Sequence, residues 1–177
     1  MAGTSHPRPV DRRLQPPLFS ASLDKENARA KRENTSYSIL ILDVDLFKNF
    51  NDTYGHKCGD IVLQSLATML VENTRSGDIV CRYGGEEFVI LMTDLSTEMA
   101  YERAESLRKQ FASMKIEFEG KLLSSTFSAG IACCPSHSTN SEHLLMLADA
   151  ALYQSKARGR NCTSVYWPES TPHIPAD

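Results

Sequence analysis

The heptapeptide Arg82-Tyr83-Gly84-Gly85-Glu86-Glu87-Phe88 lies between two short runs of β-prone residues, Asp78-Ile79-Val80-Cys81 and Val89-Ile90-Leu91-Met92. Two such runs around a Gly-Gly pair predict a β-hairpin, because glycine adopts the positive φ angle that a tight turn requires. The adjacent carboxylates of Glu86 and Glu87 repel each other and contribute nothing to a hairpin. They indicate either a solvated acidic turn or a site for a divalent cation.

The composition is that of one globular domain with tails. The chain has 177 residues, of which 41% are hydrophobic and 23% are charged, and a chain of this size buries roughly two-thirds of its unfolded surface. The sequence contains neither an apolar run of membrane-spanning length nor a signal-peptide pattern, so we expect a cytoplasmic location. The net charge of −3 predicts no broad attraction to nucleic acid or to anionic membranes.

The cysteines and the termini add little chemistry. The five cysteines include the adjacent pair Cys133 and Cys134 and have no metal-ligand spacing, so they predict small apolar side chains in a reducing compartment. Residues 1–18 are rich in proline and arginine and predict a disordered leader or an expression remnant. Residues 19–167 are the predicted domain, beginning with a charged helix over 19–34, and residues 168–177 are a predicted disordered tail.

Residues 37–47 form the most apolar run of the chain and predict a central strand covered on both faces. With a period of two residues, Asp43 and Asp45 share one face with Ile39 and Ile41. Carboxylates at the end of a buried strand are costly unless they are paired or bound to metal. The run therefore favours a polar or metal site where the strand ends.

The other elements follow from turn residues and helical spacing. Residues 48–59 have a loop-like composition, and Asp60 and Ser96 are each predicted to cap a helix. Gly120 is predicted to turn the chain into a strand over residues 122–133, a third helix is predicted from Ser141 to near Gly159, and a last strand over residues 162–167. This order, βαββαβ followed by αβ, favours an α+β fold with an antiparallel-rich central sheet and helices on one face, as in a ferredoxin-like or polymerase-palm-like core flanked by helices.

In a βαββαβ sheet the first strand lies beside the hairpin, which brings Asp43 close to Glu86 and Glu87. Carboxylates from two adjacent strands provide the hard oxygen ligands that Mg²⁺ prefers, and substrate phosphates complete its coordination. Two such ions about 3.5–4 Å apart can stabilise both the attacking and the leaving oxygen of a phosphoryl transfer. The predicted sheet therefore suggests a metal-dependent nucleotidyl-transfer site.

Five motifs in order resemble the GGDEF domain of diguanylate cyclases, over residues 37–165. They are Leu42-Asp43-Val44-Asp45-Leu46-Phe47-Lys48, Asn51-Asp52-Thr53-Tyr54-Gly55-His56, Gly59-Asp60, the heptapeptide 82–88, and Lys156-Ala157-Arg158-Gly159-Arg160-Asn161. The resemblance implies that two GTP condense to 3′,5′-linked cyclic di-GMP with release of two pyrophosphates. It also implies a catalytic homodimer and a regulatory domain attached in the full-length protein.

The resemblance also implies a role for each matching residue. Asp43, Glu86 and the Val44 carbonyl would hold Mg²⁺ or Mn²⁺, with two ions per site. Glu87 would help to deprotonate the 3′-hydroxyl, in a role not separated from that of Glu86. Asn51 and Asp60 would bind guanine, with His56 either bordering the base or structural. The expected phosphate and substrate contacts are Phe47, Lys48, Gly84, Gly85, Lys156 and Arg160. Asp45 is either a ligand or a strand-end anchor.

Arg75 and Asp78 match the position of the family's inhibitory product site, with an ordinary surface ion pair as the alternative. Arg103 and Arg108 are candidates to complete that site. The family's usual opening motif is missing, because residues 11–14 are at best a fragment of it. This departure favours an alternative function, a catalytically weak receptor for GTP or cyclic di-GMP. A cyclase for another nucleotide is a third option, and Asp60 argues against it.

Overall fold

The computed structural model describes residues 13–14 and 16–168 and contains a six-stranded sheet between two layers of helices. The helices are α1 (Pro16–Glu33), α2 (Phe47–Tyr54), α3 (His56–Glu72), α4 (Thr97–Ser113) and α5 (Ser141–Ala157). The strands are β1 (Arg13–Leu14), β2 (Tyr37–Val44), β3 (Ile79–Arg82), β4 (Glu87–Thr93), β5 (Ile116–Phe118), β6 (Lys121–Leu123), β7 (Phe127–Cys134) and β8 (Thr163–Val165).

The main sheet has the strand order β1-β3-β4-β2-β7-β8. Its three inner pairings, β3–β4, β4–β2 and β2–β7, are antiparallel, and the two outer pairings, β1–β3 and β7–β8, are parallel. Strands β5 and β6 form a separate hairpin. From β2 to β7 the main elements follow the βαββαβ order, which confirms the predicted α+β class. The β3–β4 pairing confirms the predicted hairpin.

Strand β2 is buried along its whole length, as predicted for a central strand. Leu40 and Leu42 pack with the apolar side chains of α3 and α4, whereas Ile39 and Ile41 pack with those of α1 and α5. The prediction of helices on one face is therefore wrong. A continuous aliphatic run leaves no face of the strand suited to water, so both faces must be covered.

The prediction of a loop over residues 48–59 is wrong, since α2 and the first turn of α3 occupy this segment. Phe47, Phe50 and Tyr54 recur at helical spacing, Phe47 and Phe50 join the apolar core, and the rings of Phe50 and Tyr54 lie 4.9 Å apart. Gly55, with φ of 91°, separates the two helices. Asp60 consequently lies exposed inside α3 and does not cap it.

The strand predicted over residues 122–133 is confirmed only from Phe127 onward, because β6 ends at Leu123 and β7 begins at Phe127. Gly120 forms the turn between β5 and β6 with φ of 77°. The backbone N–H of Asp45 donates to the Thr126 carbonyl at 2.9 Å, so the polar residues before β7 bind the end of β2 instead of extending β6. Elsewhere the cap prediction is confirmed: the Ser96 hydroxyl accepts a hydrogen bond from the Met99 N–H at 3.2 Å.

At the N-terminus, β1 and the start of α1 lie inside the segment 1–18 that was predicted to be disordered. Pro16 suits a first helical turn because it needs no hydrogen-bond acceptor there, and Phe19 and Leu23 are buried. The rest of that leader, residues 1–12 and 15, and residues 169–177 of the tail lie outside the described residues. All five cysteines are free. None of the helices in the described ranges combines the length and apolar character that crossing a bilayer requires.

Candidate active site

A pocket of about 220 Å³ lies where β2 ends, α2 begins and α5 ends. The turn of the β3–β4 hairpin forms one wall, and the Val44 N–H binds it by donating to the Glu86 carbonyl at 3.2 Å. Seven residues predicted to bind metal or phosphate line this pocket: Asp43, Val44, Phe47, Lys48, Glu86, Lys156 and Arg160. The fold thus brings together groups that are up to 117 residues apart in the chain.

The carboxylates at this end of the sheet are poorly neutralised. Asp43 is directly opposite Glu87 in the β2–β4 pairing, and Glu86 is the preceding residue of the turn. Burial raises the pKa of Asp43, and Lys156 partly offsets this effect. Burial also raises the pKa of Glu86, and the negative charge of Asp43 raises it further. For Glu87 the causes of a raised pKa are burial, then the charges of Asp149 and Asp43.

Lys156 supplies the positive charge nearest to these acids. Its Nζ lies 3.4 Å from Asp43 Oδ2, and it projects from the last turn of α5. Within the described ranges, no other cationic side chain lies within 4 Å of Asp43, Glu86 or Glu87. One lysine facing three carboxylates leaves a site with excess negative charge, which suits a divalent cation.

Asp45 has a different environment from Asp43, although the two are two residues apart. The Ser128 and Thr126 hydroxyls donate to its carboxylate at 2.5 and 2.7 Å. The Asn161 N–H donates to it as well, at 3.0 Å. Of the two roles that the sequence leaves open for Asp45, the structure shows the strand-end anchor.

The N-terminus of α2 faces the same pocket. Leu46 precedes the helix with a left-handed backbone, φ 53° and ψ 36°, and its side chain does not cap the helix. The first N–H groups of a helix lack acceptors within the helix, and together with the helix dipole they favour anions. Phe47 and Lys48 therefore present backbone donors, and Lys48 presents a positive charge, beside the carboxylates and Arg160.

The residues predicted to bind guanine do not line this pocket but lie where α2 packs on α3. Asn51 Oδ1 is buried and has no hydrogen-bond partner among the described residues. A β-carbon at Gly59 would lie only 1.8 Å from that oxygen, so glycine is required for this close approach. Asp60 is the next residue along α3, and both it and His56 are exposed. The Asn51 amide oxygen, which has no hydrogen-bond partner among the described residues, thus lies next to the turn of α3 that carries Asp60.

The reason predicted for Gly84 and Gly85 is wrong, since positive φ angles among the described glycines occur only at Gly55, Gly120 and Gly159. Arg82 instead holds the turn: its guanidinium donates to the Gly84 carbonyl at 3.3 Å and to the Gly85 carbonyl at 2.5 Å. A β-carbon at Gly85 would meet no atom within 4 Å. Packing inside this chain therefore does not require a glycine there.

Asp78, in the predicted product site, is bound by the protein itself. Its carboxylate is fully buried and accepts from the Arg75 N–H at 3.0 Å, the Thr93 N–H at 3.3 Å and Arg103 Nη2 at 2.8 Å. The Arg75 side chain is 49% exposed and donates to the Thr93 carbonyl at 2.5 Å. Arg103 Nη1 is buried without a partner among the described residues. Of the two arginine candidates, only Arg103 contacts this site, because Arg108 binds Glu105 and Asn161.

Comparison with known sequences agrees with these motifs. The sequence model of the family "Diguanylate cyclase, GGDEF domain" matches residues 17–162. The chain belongs to the GGDEF domain family. Diguanylate cyclase A of Treponema denticola is 40% identical over 135 residues, which cover 76% of this chain and 36% of that protein. This GGDEF domain spans about a third of the length of the curated relatives that it matches.

Solved structures of other GGDEF domains have the same fold. The GGDEF domain of DgcB from Caulobacter crescentus, in complex with c-di-GMP, superimposes with a TM-score of 0.81 at 31% identity, covering 87% of this chain and 89% of that one. The active GGEEF domain of a diguanylate cyclase from Vibrio cholerae gives a TM-score of 0.77 at 31% identity, covering 83% and 93% of the two chains. The latter domain shares the Gly-Gly-Glu-Glu-Phe form of the motif.

Sequence reasoning missed two groups that act on the site of this GGDEF domain. Arg82 lies inside the heptapeptide, but nothing in the pattern indicated that its side chain folds back onto the two glycine carbonyls. Asp149, on the exposed side of α5, raises the pKa of Glu87. No sequence signal relates residues 87 and 149, because only the packing of α5 on the sheet brings them together.

Proposed function

We propose that this GGDEF domain condenses two molecules of GTP into cyclic di-GMP and releases two pyrophosphates. The observation that carries the proposal is the assembly, in one pocket, of the buried Asp43 and half-buried Glu86 carboxylates, Lys156, Arg160 and the N-terminus of α2. The acids suit a cation and the basic groups suit a triphosphate, so the pocket is matched to a metal–nucleotide complex.

The donor set fits a divalent cation. Asp43, Glu86 and the Val44 carbonyl would hold Mg²⁺ or Mn²⁺, with two ions per site when substrate is bound. No three His, Cys, Asp or Glu side chains cluster as a metal site in the described part of the chain, so substrate phosphates and water would supply the remaining ligands, as is usual for Mg²⁺. When bound, the metal neutralises charge on the reacting phosphates and makes the attacking hydroxyl more acidic.

The protein groups then position the triphosphate and move one proton. Lys48, Lys156, Arg160 and the Phe47 N–H bind phosphate oxygens and so orient the α-phosphorus for attack. Glu87 accepts the proton from the 3′-hydroxyl, a role that its raised pKa favours because a more basic carboxylate binds the proton better.

Selection of guanine rests on the acceptors between α2 and α3. Guanine offers N1–H and N2–H₂ donors on one edge, and adenine lacks that pair. Asp60 accepts from this edge, and the unpartnered Oδ1 of Asn51 accepts a further donor. His56 borders the base. Gly84 and Gly85 leave room for the ribose and the α-phosphate at the turn.

Two domains are required because the product has two-fold symmetry. Each 3′-oxygen attacks the α-phosphorus of the GTP held by the other domain, and each attack forms one phosphodiester bond and expels one pyrophosphate. We propose that two copies meet antiparallel, and that a regulatory domain in the longer protein controls this encounter.

Product inhibition is proposed at Arg75 and Asp78, with Arg103 as the completing residue. The exposed Arg75 guanidinium and the unpartnered Nη1 of Arg103 offer donors for a phosphate or a guanine edge. The Asp78 carboxylate already accepts hydrogen bonds from Arg75, Thr93 and Arg103. For Asp78 to bind guanine, its hydrogen bond with Arg75 or with Arg103 must therefore break. Arg75→Ala should abolish cyclic di-GMP binding in calorimetry and relieve inhibition. Binding as tight as that of the wild type would contradict this site.

Incubation with GTP and Mg²⁺, followed by ion-exchange chromatography, tests the main proposal. We expect cyclic di-GMP and two equivalents of pyrophosphate, with an activity per milligram that rises with protein concentration. ATP should compete poorly, and Asp60→Ser should weaken that discrimination. A protein that binds GTP or cyclic di-GMP tightly but forms no product at any concentration would instead be a receptor.

A further inference from the structure

The loop that carries Arg160 has an unusual backbone. Gly159, Arg160 and Asn161 follow one another with φ angles of 110°, 65° and 45°. Residues with a β-carbon adopt this left-handed region at a cost in free energy, and they keep it only where the surroundings hold them there. The direction of Arg160 into the pocket therefore depends on whatever holds this loop.

Hydrogen bonds from α5, from the end of β2 and from α4 hold the loop, in addition to the one that the Gly159 N–H donates to the Lys156 carbonyl at 3.3 Å. The Arg160 N–H donates to the Ser155 carbonyl at 3.0 Å, and the Asn161 N–H donates to Asp45 at 3.0 Å. Arg108 Nη1, on α4, donates to Asn161 Oδ1 at 2.7 Å. The first two bonds involve the backbone of the loop. Of these bonds, only the one between Arg108 and Asn161 joins two side chains.

The geometry of Arg108 suits a support. Its side chain is only 12% exposed, and its Nε donates to Glu105 one turn earlier on α4. Two of its nitrogens are therefore directed by different partners, as the planar guanidinium allows. Arg108 does not line the pocket, so any effect it has on substrate must pass through Asn161 and the loop.

We propose that Arg108 is a positioning residue for phosphate binding, which acts by holding Asn161 and thereby the Arg160 loop. The inference rests on the proposed function of the pocket. It predicts a specific loss: without Arg108, the terminal phosphates of GTP are bound less tightly, while the guanosine part is bound as before.

The test compares the affinities for 3′-deoxy-GTP, which cannot cyclise, and for GMP, which lacks the terminal phosphates. Arg108→Met should raise the Kd for 3′-deoxy-GTP about tenfold, the lower range for loss of a group that supports a binding residue, and leave the Kd for GMP unchanged. Asn161→Gly should give the same result, since glycine removes the acceptor but accepts the left-handed backbone. The double variant should be no worse than either single one, because both remove one contact.

Lys109→Met is the matched control, because it removes one positive charge from an exposed position on the same helix. It should leave the ratio of the two affinities at the wild-type value. An equal loss of affinity for both nucleotides in Arg108→Met, or additive effects in the double variant, would overturn the inference. Cyclic di-GMP formation by the wild type is measured in parallel, so a failure of the proposed function is distinguished from a failure of this support.

Discussion

The two ends of the β3–β4 hairpin both carry acidic residues, but their environments are opposite. At the start of β3, Asp78 is fully buried and accepts from two backbone N–H groups and from Arg103. At the turn, Glu86 and Glu87 have raised pKa values because of burial and neighbouring negative charge. The protein neutralises one end with its own groups and leaves the acids of the other end poorly neutralised, a contrast that is typical of functional sites.

The largest expected effect is on turnover at the turn end. Glu86→Gln or Asp43→Asn should reduce cyclic di-GMP formation by about a thousandfold or more, because phosphoryl transfer depends mainly on positioning and neutralisation of charge. Product formation in Mg²⁺ measures the loss, and circular dichroism should be unchanged. Glu117→Gln, in the exposed β5–β6 hairpin, is the control and should retain full activity. Wild-type turnover in either site variant would contradict the assigned site.

The next effect is on stability at the Asp78 end. Asp78→Asn removes a buried negative charge from Arg103, so the free energy of unfolding should fall by about 3 kcal/mol, as for other broken buried pairs. Urea denaturation measures it. Asp94→Asn is the control, because Asp94 is 52% exposed in its pair with Arg29 and such pairs contribute about 1 kcal/mol or less. Equal decreases in the free energy of unfolding in the two variants would contradict the claim that Asp78 is stabilised more strongly than an exposed ion pair.

Mg²⁺ should stabilise the folded protein through the carboxylates at the turn of the hairpin, and not through Asp78. Saturating Mg²⁺ at about a hundred times its Kd should raise the free energy of unfolding by about 2.7 kcal/mol over that in EDTA. In Glu86→Gln the increase should be much smaller, whereas in Glu117→Gln it should match the wild type. Thermal denaturation with and without the ion reports both values. A rise that persists in Glu86→Gln would place the ion elsewhere.

The smallest effect is a gain in stability without metal. A raised pKa means that folded Glu87 binds its proton more tightly than the unfolded chain does, so the fold loses stability as the pH rises from the ordinary glutamate pKa through the raised one. Glu87→Gln removes that loss and should slightly stabilise the metal-free protein at pH 7, by less than the effect of Mg²⁺ because solvent screens this half-exposed side chain. The gain should vanish well below the ordinary glutamate pKa. A gain that does not depend on pH would have another cause.

Much of the fold follows from local patterns in the sequence. The aliphatic run of β2 and the two runs around the turn predict strands because backbone geometry gives their side chains a period of two residues. The βαββαβ order then places Asp43 beside the hairpin. Helix α2 escaped prediction because its Asn- and Asp-containing composition and the glycine that follows it at position 55 favour a loop. The packing of Phe47 and Phe50 on the core outweighs that local preference.

Only the tertiary structure decided which acids are neutralised. From the period-two pattern of β2 alone, Asp43 and Asp45 are equivalent, and Asp78, like Glu86, is simply an acid beside a turn. The partners that distinguish them come from far along the chain: Arg103 is 25 residues from Asp78, and Ser128 is 83 residues from Asp45. Hydrogen bonding and burial depend on distances in space, which sheet pairing and helix packing set. The charge of each acid could therefore be predicted from the sequence, and the family resemblance implied a role for several of them, whereas their pKa shifts and hydrogen-bond partners could not be predicted.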